Sequence, residues 1–154
     1  MRTMRMIGIR CNMETIVATV KNVNLFVGEK DSANVTITVD KAFKGFVKNE
    51  DGTFDEHDDV QSFSMSRSKL CYQIYQINED IALYRATLGH ALDQKSLAVL
   101  LMNSKIVFNR EFHAAGEILE GSETALDRDC YITTITKIEL TARATKALDK
   151  ALDL

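Results

Sequence analysis

Lysine and phenylalanine side chains are interleaved in TVDKAFKGFVK, the stretch from Thr38 to Lys48. Proteins that hold single-stranded nucleic acid use cations to follow the phosphates and exposed aromatic rings to stack on the bases. The stretch offers both kinds of side chain, and the candidate contacts are Lys41, Phe43, Lys44, Phe46 and Lys48. Because alternate residues of a strand point to opposite faces, a bend at Gly45 is needed to bring all five to one surface. The alternative is an ordinary strand whose phenylalanines pack in the core and whose lysines are solvated.

Two more segments combine cations with rings. The stretch KIVFNREFH contributes Lys105, Phe108, Arg110 and Phe112 as candidate contacts, and the stretch SMSRSKLCY contributes Arg67, Lys69 and Tyr72. An arginine beside rings can stack on a base as well as contact a phosphate. A core strand with one arginine reaching solvent is the alternative for the first of these segments. Taken together, the three clusters favour a surface that binds a polyanion.

The net charge of −3 conceals a separation of charge along the chain. Residues 49–59, NEDGTFDEHDD, hold six acids and no Lys or Arg, so the rest of the chain carries a net charge of +3. A local positive field can attract an anionic partner despite the overall sign. Asp51 and Gly52 predict a turn, and the segment is expected to form an acidic hairpin tip. It could also act as an electrostatic gate beside the lysines, whereas Val47 at the first ligand position argues against a calcium loop.

No complete catalytic or metal-binding signature is present in the sequence. The histidines are His57, His90 and His113, and the cysteines are Cys11, Cys71 and Cys130. They form no HxH, HExxH or CxxC pattern, and neither GxSxG nor GxxxxGK[ST] occurs. Glu79 with Asp80 could serve as catalytic acids, but paired carboxylates at a helix start complement the helix dipole. We therefore predict a protein that is not an enzyme and that uses no metal or other cofactor.

Length and targeting features indicate one cytoplasmic domain spanning residues 1–154. A chain of 154 residues is most economically a single domain. The longest apolar run, Leu97 to Met102, is far shorter than the roughly 18 residues that cross a bilayer, so no membrane partner is expected. Arginines interrupt the N-terminal stretch MRTMRMIGIRCN, which lacks the apolar core of a secretion signal. Three scattered cysteines suit a reducing compartment.

The first half of the chain reads as strands. Alternating β-branched residues predict a strand from Ile16 to Val27, and the residues from Gly28 to Asn34 predict a turn. A second strand runs from Val35 toward Phe46, and Val60 to Met65 returns as a third. The second and third strands are expected to form one long hairpin with a charged end.

The second half begins with a predicted helix. Its apolar face is expected to comprise Ile77, Ile81, Tyr84, Leu88 and Leu92, with Asn78 as the N-cap. The following LAVLLM can be either a helical turn or a buried strand. Strands are predicted for Lys105 to His113 and for Tyr131 to Leu140, the latter with a bulge between Ile135 and Ile138. A loop joins these two strands, and a short helix or tail is expected for residues 142–154.

The predicted order of strand, strand, strand, helix, strand, strand resembles the OB-fold, a five-stranded barrel with one helix between its third and fourth strands. An α+β fold is the alternative. The chain is similar in this layout, over Thr15 to Leu140, to the single-stranded DNA-binding proteins of bacteria and their phages. The resemblance implies a non-enzymatic factor that binds single-stranded nucleic acid, DNA above RNA, as a homo-oligomer. The other possibilities are an assembly protein of a phage or prophage particle and a small enzyme without a recognisable motif.

The C-terminal stretch ATKALDKALDL places Ala147, Leu148, Ala151 and Leu152 at helical spacing. Bacterial single-stranded DNA-binding proteins end in an acidic tail with an apolar tip, which recruits other enzymes, and this ending resembles one loosely. We expect instead that the segment forms a short helix whose leucines dock on the barrel or on a second copy of the chain, because isolated helices of this length are marginal in water.

Overall fold

A five-stranded antiparallel sheet forms most of the computed structural model, which describes residues 13–27, 33–89 and 92–152. The strands are β1 (Met13–Val27), β2 (Ala33–Lys48), β3 (Phe54–Ser66), β4 (Lys105–His113) and β5 (Cys130–Glu139). Their order across the sheet is β3-β2-β1-β4-β5. The mainly β class and the five antiparallel strands that the sequence predicts are therefore confirmed.

Strand β1 is shared between two partners. Its first part, residues 13–19, pairs with β4, and its second part pairs with β2 after a register shift between Val20 and Asn22. The inward residues Val35, Ile37 and Val39 of β2 are buried, in agreement with the period-2 pattern of the sequence. Most of the predicted turn at Gly28 lies outside the described residues.

A bulge in β5 occurs where the sequence predicts a shift of phase. Val107 of β4 pairs with Lys137, whereas the next residue, Phe108, pairs with Ile135. The residue between them on β5, Thr136, is therefore skipped by the ladder, as in a β-bulge. Because of this extra residue, Ile135 and Ile138 both face the interior, although they are three positions apart.

Four helices accompany the sheet: α1 (Arg67–Ile77), α2 (Glu79–Leu88), α3 (Gln94–Leu101) and α4 (Ala142–Leu152). The expectation of one helix between the third and fourth strands is wrong, because three helices lie there. Asn78 caps α2 as predicted, since its Oδ1 accepts from the backbone N–H of Ile81 at 3.0 Å. Gly89, with φ of +77°, ends that helix, so Leu92 belongs to the next segment. In the described part of the chain, no helix combines the length and the apolar character needed to cross a membrane.

One cluster of buried side chains joins all the described elements. It includes Phe108 and Phe63 from the sheet, Leu70 from α1, Leu97 from α3 and Leu148 from α4. The helices thus pack against the sheet and share its core. Ala144 and Leu148 of α4 are buried, as the docking alternative predicts for Leu148, whereas Ala147 of the predicted apolar face is exposed. Asp153 and Leu154 lie outside the described residues.

The acidic segment is only partly a hairpin tip. Its turn spans residues 49–53, where Gly52 has φ of +90° and the Asp51 carboxylate accepts from the backbone N–H and hydroxyl of Thr53. These hydrogen bonds lower the pKa of Asp51. Residues 54–59 belong to β3 and pair with β2, so they form part of the sheet. Among the described residues, no group of His, Cys, Asp or Glu is arranged to hold a metal ion.

Candidate functional site

A cleft of about 500 Å³ lies between β5 and the outer half of the β2–β3 hairpin. Gly45, Phe46, Val47 and Lys48 of β2 form one wall, together with Val60, Ser62, Phe63 and Ser64 of β3. Cys130 and Tyr131 of β5 form the other wall, with Arg128 just before that strand and Arg110 of β4 between the two walls. We call this region the seam cleft, because it lies where the two edge strands of the sheet, β3 and β5, come near each other.

Side chains span the seam. The Tyr131 hydroxyl donates to Glu56 Oε2 of β3 at 2.5 Å, and the Tyr131 ring lies 5.5 Å from the ring of Phe46. Arg110 donates from Nη1 to Thr133 Oγ1 of β5 at 2.8 Å. It also donates from Nη2 to the backbone carbonyl of Lys44 of β2 at 3.0 Å. Within the described residues β3 and β5 form no ladder, so the sheet is open, and the side-chain contacts given above cross the seam between its two edges.

Arg110 is the most buried cation at the seam, with 7% of its surface exposed. Its guanidinium lies over two rings, 4.7 Å from the centre of Phe43 and 5.2 Å from the centre of Tyr131. Burial lowers the pKa of Arg110 to about 10, because removal from water disfavours the charged form. The charged form nevertheless dominates at neutral pH, so the cleft contains a desolvated positive charge.

The predicted rings separate into core and cleft positions. Phe43 (2% exposed) and Phe108 (0%) are core residues, with their ring centres 5.5 Å apart. They cannot stack on bases in this conformation, and the expectation for these two rings must be corrected. The cause is the strand pairing, which turns the Phe43 position inward over the core. Phe46 remains half-buried at the cleft, and Phe112 packs edge-on against Tyr131 at 5.6 Å.

The predicted cations occupy three locations. Lys48 and Arg110 line the seam cleft, and Lys69 of α1 lies near enough to Cys130 for the two to interact electrostatically. Lys41 and Lys105, predicted from separate segments, meet in a shallow depression of about 260 Å³ beside Asp40, whose carboxylate accepts from the backbone N–H of Thr19. The exposed Lys44 side chain is on β2, and Arg67 and Tyr72 lie on α1, where Tyr72 is 66% exposed.

Arg128 and Tyr131 are cleft residues that the sequence patterns did not single out. The Arg128 guanidinium lies 3.9 Å from the ring centre of Phe54, near the start of β3. Arg128 precedes a predicted strand and Tyr131 is its first residue, and each is a cation or a ring like those of the other clusters. Their spacing in the sequence does not show that the start of β5 faces the β2–β3 hairpin, because that contact joins segments about seventy residues apart.

Both positive and negative groups contribute to the electrostatic field in the seam cleft. Burial raises the pKa of the Cys130 thiol, Arg128 opposes that rise, and Glu117, Asp129 and Asp127 add to it. Burial also lowers the pKa of Lys69. Cations therefore line the cleft itself, whereas carboxylates act on it from the β4–β5 loop and, through Glu56, from β3.

The residues considered for catalysis do not form a recognisable site. Glu79 and Asp80 occupy the first turn of α2, where they complement the helix dipole. His113 contacts a carboxylate from each ring nitrogen, with Nε2 2.8 Å from Glu111 Oε1 and Nδ1 against Glu117. This arrangement fastens the end of β4 to the loop that follows it. His90 and Cys11 lie outside the described residues.

No protein-family model matches the chain, and no curated protein matches it significantly in sequence.

Proposed function

We propose that this protein binds single-stranded nucleic acid in the seam cleft and catalyses no reaction on it. The observation that carries the proposal is the convergence of cations and rings from distant segments. Lys48, Arg110 and Arg128 line the same cleft as Phe46 and Tyr131. Cations that neutralise phosphates, next to rings that stack on bases, are the two requirements for binding a strand without reading its sequence.

The dimensions of the cleft suit a small number of nucleotides. A volume of about 500 Å³ lies in the range of sites that hold small organic ligands. Phe46 and Tyr131 are only partly buried, so each keeps ring surface on which a base can stack. A base in a duplex is already stacked on both sides and cannot use these rings, which favours single strands.

The location of the cleft supports the same function. OB-folds bind oligonucleotides across the face of their second and third strands, with help from the loop between the fourth and fifth. The seam cleft is built from β2 and β3, and Arg128 lies at the end of the β4–β5 loop. The proposal includes a partly open barrel of the OB type, DNA as the natural strand and a cytoplasmic setting.

Contact between copies of the chain is a further part of the proposal. A cavity of about 150 Å³ lies among α2, α3 and α4, lined by Val99, Leu100 and Leu148. Val99 is also exposed on the surface beside it. The same surface favours the second candidate function, a component of a phage or prophage particle, since assembly proteins depend on such contacts. On a sizing column, an assembly protein forms large oligomers and ignores oligonucleotides.

Binding is tested by fluorescence anisotropy with labelled single-stranded DNA, single-stranded RNA and duplex DNA. We expect single strands to bind more tightly than the duplex. The Phe46→Ala substitution removes one stacking ring and should weaken binding by about 1–3 kcal/mol, or roughly 5- to 150-fold in Kd.

Leu83→Ala is the matched control, because Leu83 is 55% exposed on α2 and does not line the cleft. It should bind like the parent protein. Equal affinity for duplex and single strands, or equal loss in both variants, would contradict the proposal.

A further inference from the structure

The charge of Arg110 has no ionic partner in the described part of the chain. Its two hydrogen-bond acceptors there, Thr133 Oγ1 and the carbonyl of Lys44, are neutral. Glu14 lies opposite Arg110 in the β1–β4 ladder and acts on it electrostatically, but the two form no ion pair. A buried cation is ordinarily paired, because the cost of its desolvation is otherwise left uncompensated.

The guanidinium also has unused donors. It carries five N–H bonds, and the buried Nε has no hydrogen-bond partner. The rings of Phe43 and Tyr131 stabilise the charge from their faces, but they accept no hydrogen bond in the plane of the guanidinium. An acceptor in that plane would satisfy the remaining donors.

Gly45 keeps the space around the guanidinium open. A Cβ atom at this position would lie 3.0 Å from Arg110 Nη2 and 3.1 Å from Cγ2 of Val60. Any other residue would therefore push Arg110 away from the carbonyl of Lys44 or narrow the cleft. Glycine at this position therefore allows the guanidinium to lie where it lines the cleft.

We propose that Arg110 is an anion-binding residue at the floor of the seam cleft and that its ligand is a phosphate group. The planar fork of arginine matches phosphate oxygens in pairs. Lys48 and Arg128 line the same cleft, and Ser62, which also lines it, carries a hydroxyl donor. Several donors around one guanidinium suit a phosphate, which has more acceptor oxygens than a carboxylate. In the setting of the proposed function, on which this step rests, the phosphate belongs to the bound strand.

The competing role for Arg110 is purely structural. In that case it only joins β2 to β5 through Lys44 and Thr133, and phosphate should have no effect on it. The two roles differ in how the parent protein responds to added phosphate, so the decisive titration is performed on the parent protein.

The first experiment is an NMR titration of the full chain with inorganic phosphate, with sodium chloride at equal ionic strength as the reference. We expect phosphate, and not chloride, to shift the Nε–H resonance of Arg110. An unchanged resonance overturns the proposal. The resonance is assigned by its loss in Arg110→Lys, which keeps the charge and removes Nε–H.

Thermal melting provides the second measurement. Phosphate should raise the Tm of the parent protein and of the control Arg143→Met, which removes an exposed cation of α4. Arg110→Met should show no such rise, while equal stabilisation of Arg110→Met overturns the proposal. If Arg110→Met does not fold, the NMR titration of the parent protein decides.

Oligonucleotides with and without a 5′-phosphate identify the source of the phosphate group. A terminal phosphate is indicated if the phosphorylated strand binds more tightly and Arg110→Lys removes the difference. An internal phosphate is indicated if both strands bind equally and Arg110→Met lowers the slope of log K against log salt by about 0.7.

Failure of this inference can be separated from failure of the proposed function. In one outcome, strands bind and Phe46→Ala weakens that binding, but neither the response to phosphate nor the affinity for the strand depends on Arg110. The proposed function then stands and the anion site is refuted. If phosphate shifts Arg110 and no strand binds, the anion site stands alone.

Discussion

The salt dependence of binding measures how many cations of the seam cleft contact phosphates. Lys48, Arg110 and Arg128 line the cleft, and Lys69 lies close to it. Each phosphate neutralised on a single strand contributes about −0.7 to the slope of log K against log salt, so four contacts predict a slope of about −2.8. A fourfold rise in salt should then weaken binding roughly 50-fold.

Removing one cation should change both affinity and slope. Lys48→Gln is expected to reduce the slope to about −2.1, because one fewer counterion is released on binding. Fluorescence anisotropy with one labelled single strand, repeated at several salt concentrations, gives the slope directly. Lys95→Gln is the matched control, since Lys95 is exposed on α3 and lines the cavity among the helices.

Two results would refute this reasoning. A parent slope near zero would show that phosphates are not contacted. An equal reduction in slope for Lys48→Gln and Lys95→Gln would show that the strand responds to the overall charge of the protein and not to the seam cleft.

Two further predictions concern the core that supports the cleft. Phe108→Ala should lower the free energy of unfolding by about 3–5 kcal/mol in urea denaturation, because the ring is fully buried against Phe43 and Phe63. The control Val17→Ala, at a position 54% exposed, should change the free energy of unfolding by less than about 0.5 kcal/mol. An equally small change in Phe108→Ala would contradict the packing of this ring in the core. Leu148→Ala should lower the free energy of unfolding by about 2–5 kcal/mol if α4 docks on the core. An unchanged melting curve would show that the segment is a detached tail.

The strands were predictable because their patterns are local. Alternation along β2 places Val35, Ile37 and Val39 on the buried face, and a strand paired on both sides with one solvated face has to show such a pattern. The bulge in β5 was predictable for the same reason, since an extra residue moves the apolar positions by one.

Helix α1 was not predicted because its signals are weak. Its N-cap, Ser66, is also the last residue of the alternating strand β3, and its first turn contains no acid. The buried residues Leu70, Cys71 and Ile74 have helical spacing, but exposed Tyr72 lies between them. The helix is stabilised by packing against the sheet. Gln73 of α1 accepts from the backbone N–H of Ile135 on β5 at 2.9 Å, a contact that spans 62 positions.

The candidate site was predictable only in its residue types. Phe43 and Phe46 are three residues apart, so strand geometry places them on opposite faces. Phe43 has the same parity as Val35, Ile37 and Val39, so regular alternation along β2 predicts that Phe43 faces inward. The contact of Phe46 with Tyr131 across the seam is not contained in either strand alone, because it joins two distant segments.

The open seam links stability to the proposed binding. Most neighbouring strands are held by ladders of backbone hydrogen bonds, but the hairpin and β5 meet through Arg110, Tyr131 and their partners. Side chains can exchange partners without unfolding a strand, whereas the backbone hydrogen bonds of a ladder cannot be exchanged unless the paired strands separate. A ligand that enters the seam therefore needs to replace a few side-chain contacts only, and its phosphate can offer Arg110 acceptors while its base offers Tyr131 a stacking surface. The residues that hold the hairpin to β5 are thus the ones best placed to exchange that contact for a bound strand.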